Sequence, residues 1–139
     1  MSIRGRSVSA RFEQCIRFLN GRSVQVEQKL DGMTPLDIKL CSIVKAELLY
    51  GAARSNNPAA AQKKLELFFA PYESFPFDDL AAVEYGRLRG QLARAGTPIE
   101  PNDPMIAAIA LSKRLTLVTH NTSEFSRVLD LALEDWELS

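Results

Sequence analysis

The chain has 139 residues, of which 46% are hydrophobic and 24% charged, with 17 basic residues balanced by 17 acidic ones. That length suits one domain with a real core, and zero net charge excludes a generally basic nucleic-acid coat while leaving room for a local basic groove. Two cysteines and one histidine exclude a disulfide framework, a cysteine zinc site and a multi-histidine metal centre.

In chain order, "MSIRGRSVSARFEQ" is basic and lacks the apolar stretch of a secretion signal. No apolar run approaches the ~20 residues of a membrane span, so the expected compartment is the cytoplasm. "CIRFLNGRSVQVEQKLDGM" reads as a short apolar element, an Asn20-Gly21 turn and a helix ending near Gly32. "LDIKLCSI" alternates and is β-rich, so it is a strand. "VKAELLYGAARS" follows as a helix with Ser42 as its N-cap. "NPAAAQKKLELFFAPY" is a second helix, begun after Asn57-Pro58, and "ESFPFDD" is a short extended piece. "DLAAVEYGRLRGQLARAG" is helical, with Leu80, Val83, Leu88 and Leu92 on one broad face and Gly96 as the stop signal. "DPMIAAIALSKR" is a helix with Asp103 as N-cap and Pro104 in the favoured first position. "LTLVTH" is a buried strand, and "NTSEFSRVLDL" a turn leading into a short helical or irregular segment. Strands thus alternate with helices, which predicts an α/β fold around a mainly parallel sheet, with sites at the carboxyl ends of the strands.

Four polar positions stand near such ends. Glu47, in the first turn after a strand, is either a helix carboxylate favoured by the dipole or a ligand for a hard cation. Asp103 caps a helix, and a second carboxylate oxygen remains free to face a metal. Turn chemistry accounts for Asn121, and solvation for Glu124. His120 is the lone histidine. There is no glycine-rich phosphate loop and no Ser-His-Asp or Cys-His arrangement.

Taken together, "CIRFLNGRS", "CSIVKAELLYGAARS", "FPFDDLAAVEYGRLRGQLARAGTPIEPNDPMIAAIAL" and "LTLVTHNTSEFSRV…LEDW" resemble, in order and spacing, the VapC family of PIN-domain toxins from type II toxin–antitoxin operons. The resemblance runs from Cys15 onward. It implies a single three-layer α/β/α PIN-like domain, a Mg²⁺- or Mn²⁺-dependent endoribonuclease, and silencing by a VapB-type antitoxin; a homodimer is a further family expectation. Glu47 matches the central acidic residue of the family and Asp103 its second aspartate. Asn121 falls at a late position that is Asp in some members and Asn in others, and Glu124 follows in the same turn. The implied catalytic set is Glu47, Asp103 and Asn121. The implied metal ligands are Asp103 and Glu47, with Glu13 and Glu124 as further candidates. Lys45, Arg54 and Arg94 are candidate contacts to the RNA backbone. The helix faces around Leu48, Tyr50 and Phe68-Phe69 are the expected antitoxin surface.

The N-terminus departs from the family. Its members begin with an apolar strand ending "LLDTN" or "LLDSN", whose Asp is a primary ligand, whereas this chain has "SARFEQ", with Arg11 in place of that Asp. A guanidinium ~4 Å from a cation costs roughly 4 kcal/mol at an effective dielectric near 20. Glu13 lies two strand residues, about 6–7 Å, from the vacated position. A second reading follows: a catalytically impaired PIN domain retained as an antitoxin-binding module. The genetic code suggests an origin. Residues 8–13 can be encoded GTA TCT GCT AGA TTC GAA. Read from the second base, with the C of the Gln14 codon, this becomes TAT CTG CTA GAT TCG AAC, or Tyr-Leu-Leu-Asp-Ser-Asn. The expectation is an N-terminus frame-shifted relative to an ancestral toxin, with the frame restored just before Cys15.

Overall fold

Ile38–Cys41 and Thr116–Val118 are buried at every residue, as strands are when both faces of a sheet are covered, with Lys39 paired to Glu73 at 2.9 Å. In the computed structural model, which describes residues 8–10, 35–96, 102–118 and 125–134, these runs are β2 and β4. With β1 (Val8–Ala10), β3 (Glu73–Phe75) and β5 (Leu133–Glu134) they form a five-stranded sheet of order β3-β2-β1-β4-β5. Every pairing is parallel, so the α/β class read from the alternation of elements is what the chain adopts. The central strand is β1, pairing Val8 with both Ile38 and Thr116. The predicted elements between residues 15 and 33 lie outside the described residues.

A 3-10 turn at Pro35–Asp37 and four α-helices complete the described elements: α1 (Ser42–Ala53), α2 (Pro58–Phe69), α3 (Asp79–Arg94) and α4 (Asn102–Lys113). None of the described helices is long and apolar enough to cross a membrane. α1 packs on α2, α3 on α4, and α1 touches α4. The core follows from spacing: Val44, Leu48 and Ala52 recur every fourth residue on α1 and are buried. α4 is buried continuously from Ile106 to Ala110, which a helix shows only when neighbours surround it.

Local chemistry explains most helix ends. Asn57 Oδ1 accepts from the Ala60 N–H at 3.2 Å and Pro58 follows it, an N-cap with proline in the first turn. Gly96, at φ +70° just past α3, is the predicted stop in the left-handed conformation that glycine adopts without strain.

Three expectations need correction. Ser42 is the first residue of α1, not its cap: Cys41 holds the extended cap conformation and makes no side-chain capping bond. α4 starts at Asn102, so Asp103 sits inside its first turn. On α3, Leu80 and Val83 are 61% and 71% exposed, and the buried residues are Ala81, Leu88 and Leu92. The helix turns Ala81, Leu88 and Leu92 inward and packs on α4, which leaves Leu80 and Val83 outside.

Asp78 caps α3 by accepting from the Ala81 N–H at 3.0 Å, and its other oxygen accepts from Lys113 Nζ at 3.0 Å. The Ala81 bond, then Lys113, hold its carboxyl below the usual carboxylate range. A depressed carboxylate pKa contributes stability above the unfolded-chain value and loses it as pH falls through the folded value. Acidification below about pH 4 is therefore expected to lower the denaturation midpoint of the native chain more than that of Asp78→Asn. Equal acid sensitivity in paired urea titrations would remove Asp78 from this role.

Candidate active site

α1 follows β2 with no intervening residue, so its first turns stand at the carboxyl edge of the sheet. α4 ends at Lys113 and β4 begins at Thr116. A link that short requires α4 to run toward the amino edge, which leaves its first turn at the carboxyl edge too. Asp78 and Lys113, at the start of α3 and the end of α4, are joined at 3.0 Å. The two helices are therefore antiparallel, and Arg94 at the end of α3 lies toward the start of α4.

This topology brings Glu47 and Asp103 to one edge, on helices that touch. Glu47 stands in the second turn of α1, one turn deeper than expected, and is half-buried. Its Oε1 is buried and accepts no hydrogen bond. Asp103 is only 1% exposed. An apolar interior holds a carboxylate when something compensates its charge, and the first turn of α4 offers the positive end of a helix dipole. Oxygen donors of this kind suit hard divalent cations. Among the described residues no group of three or more His, Cys, Asp or Glu is assembled for a metal. Asn121, Glu124 and Glu13, the remaining candidates, lie outside the described residues, as do Arg11 and His120.

Sequence reasoning passed over Cys41, the last residue of β2. Burial pushes its thiol pKa up. The backbone amides of Val44 and Ile43 pull it partly back, and the negative charge of Glu47 adds to the rise. A buried cysteine in an apolar strand carries no sequence signal that separates it from ordinary core.

Of the candidate RNA-contacting cations, Lys45 in the first turn of α1 and Arg94 belong to this edge. Lys45 Nζ sits 5.0 Å from the Phe69 ring centroid. Arg54 is the C-cap of α1, at the far end, stacked 5.0 Å over Tyr50. The expected antitoxin face also changes. Leu48 and Phe69 are core residues at 1% and 9% exposure, whereas Tyr50 and Leu67 are 64% and 69% exposed.

A parallel β3-β2-β1-β4-β5 sheet with acidic residues delivered to its carboxyl edge by two helices is the arrangement of a PIN domain. The PIN domain family matches residues 15–130, and the chain belongs to that family. Within it, the chain is 36% identical over 124 residues to the tRNA(fMet)-specific endonuclease VapC of Salmonella typhimurium, covering 88% of this chain and 92% of that protein. It is 42% identical over 100 residues to the tRNA(fMet)-specific endonuclease VapC of Shigella flexneri, covering 70% and 76%. The crystal structure of DNA-bound VapBC from Salmonella typhimurium superposes with a TM-score of 0.88 at 33% identity, over 94% of this chain and 98% of that one.

Proposed function

We propose that this chain is a VapC-type toxin, a metal-dependent endoribonuclease that acts in the cytoplasm and is neutralised by a VapB-type antitoxin. The observation that supports this most is the buried Asp103 at the same sheet edge as Glu47 Oε1, in a chain that matches VapC ribonucleases over most of its length.

Glu47 and Asp103 would hold a Mg²⁺ or Mn²⁺ ion, with Asn121 completing the catalytic set and Glu13 and Glu124 as additional donors. Such an ion activates water and stabilises charge developing on the scissile phosphate. Two carboxylates gathered at one edge repel each other without a cation, so the residues themselves create the demand for it. Lys45 and Arg94 would bind flanking phosphates, which carry most sequence-independent affinity. Tyr50 and Leu67, exposed on the α1–α2 pair, would be covered by the antitoxin, since large apolar side chains grouped on a surface mark partner contacts. A homodimer completes the proposed assembly.

The test is cleavage of a bulk tRNA preparation by the purified chain. Cleavage with Mg²⁺ or Mn²⁺, abolished by EDTA, restored by excess metal and suppressed by the antitoxin, is the expected result. Cleavage that persists in EDTA would refute metal dependence.

A further inference from the structure

A second polar site lies at the opposite edge of the sheet. A cavity of about 390 Å³ opens between α3, the end of α4 and the start of β4, lined by Glu84, Arg87, Arg114, Thr116, Asp130 and Ala132 among others. Its volume is within the roughly 300–1,000 Å³ range of small-molecule sites. It is separated from the Asp103 edge by the length of α4, about 18 Å at 1.5 Å per residue.

Three features distinguish it from a surface dent. Thr116 is 1% exposed, and its Oγ1 is buried with no hydrogen-bond partner. Buried hydroxyls are normally paired, so an unpaired one just behind the cavity wall is an unsatisfied polar group beside this site. Second, Arg114 and Asp130 hold φ values of +56° and +66°, and they are the non-glycine residues of the described chain in the left-handed region. Arg114 terminates α4: its N–H donates to Leu111 O and the Leu115 N–H to Ala110 O at 2.8 Å. That is the Schellman pattern, where glycine is the unstrained choice. Both positions therefore keep charged side chains at a cost in backbone energy, and such strain is a pointer to function. Third, Arg114 and Asp130 line one cavity without pairing; neither side chain has an ion-pair or hydrogen-bond partner among the described residues. Arg87 is by contrast already matched to Glu84 at 2.8 Å.

The lining carries two cations and two carboxylates, so a simple anion would meet repulsion from Glu84 and Asp130. A ligand bearing both charges satisfies the free pair. We propose that this cavity binds a small zwitterion, an α-amino acid, with its carboxylate on Arg114 and its ammonium on Asp130. This site is independent of the nuclease reading and shares no residue with it.

The test is calorimetric titration and thermal melting of the full chain with glycine, L-alanine, L-leucine, L-glutamate and L-lysine. Ammonium acetate and inorganic phosphate, each at about 10 mM, serve as controls, because a ligand that binds only the folded state raises its melting temperature. At least one amino acid should bind and raise the melting temperature, and neither control should. Arg114→Gly and Asp130→Gly should each melt roughly 2–5 °C higher than the native chain, through relief of the left-handed strain. Each should also bind the amino acid about 10–100-fold more weakly, the loss expected for one charge-assisted hydrogen bond. Their raised stability separates lost binding from lost folding. No binding by any amino acid, binding of phosphate alone, or undiminished affinity in either glycine variant would overturn the proposal.

Discussion

Replacing Asp103 by Asn or Glu47 by Gln is expected to lower RNA cleavage by about 10²–10³-fold, because a catalytic cation contributes several kcal/mol of transition-state stabilisation and each of these changes removes a ligand charge. Both substitutions keep the side chain's shape, so they distinguish chemistry from folding. Asp103 is 1% exposed, and a neutral amide of equal size removes its charge without opening a cavity. The far-ultraviolet circular dichroism should be unchanged in both variants. Isothermal titration should show weaker Mg²⁺ binding in each. A folded Asp103→Asn chain that cleaves at the native rate would remove Asp103 from the catalytic role; a folded Glu47→Gln chain with native metal affinity would do the same for Glu47.

The second large effect is expected at Arg11. The central strand β1 ends at Ala10, between the strand that leads into α1 and the strand that leads toward Asn121, and the chain continues from there into Arg11. We propose that rebuilding residues 8–13 as Tyr-Leu-Leu-Asp-Ser-Asn, or making the single change Arg11→Asp, tightens Mg²⁺ binding and accelerates cleavage by at least about tenfold. The upper scale is set by roughly 4 kcal/mol of repulsion at ~4 Å and a dielectric near 20, equivalent to about 10³-fold. Mg²⁺ prefers its own waters when protein carboxylates are few, so exchanging a guanidinium for a carboxylate acts on affinity first and on rate through affinity. Calorimetry and cleavage measured side by side decide the matter. Equal affinity and equal rate would show that Arg11 is harmless and that Glu13 or another group completes the site. The coding DNA provides a separate check, since codons over Val8–Glu13 that do not spell the motif in the alternative frame end the frame-shift explanation.

Much of this domain was legible before any coordinates. The start of α2 was readable from the Asn57-Pro58 pair, and the structure adds the cap bond from the Ala60 N–H to Asn57. Gly96 was readable because only glycine takes φ +70° without strain. The strand Ile38–Cys41 was readable from its alternation and β-rich residues, and Thr116–Val118 from a short apolar run. Errors came where a neighbour decides. Leu80 and Val83 have the same apolar character as Leu88, yet the helix turns Ala81, not them, into the core. Leu48 and Tyr50 are two residues apart on one helix and fall on opposite sides of the core boundary.

The sequence by itself determined the α/β alternation, the glycine stop of α3 and the family, because residue order and local chemistry carry them, whereas the caps read at Ser42 and Asp103 each lay one residue or more inside the helix. Only the tertiary structure decided the placement of Glu47 and Asp103 at one edge. They are far apart in sequence, and what unites them is a parallel sheet whose crossovers send α1 away from the carboxyl edge and α4 back from it. The same holds for the cavity at Arg114, Thr116 and Asp130. Its evidence is two left-handed backbone torsions, an unpaired hydroxyl and two charges that line one cavity, and the cavity does not exist until distant segments have packed.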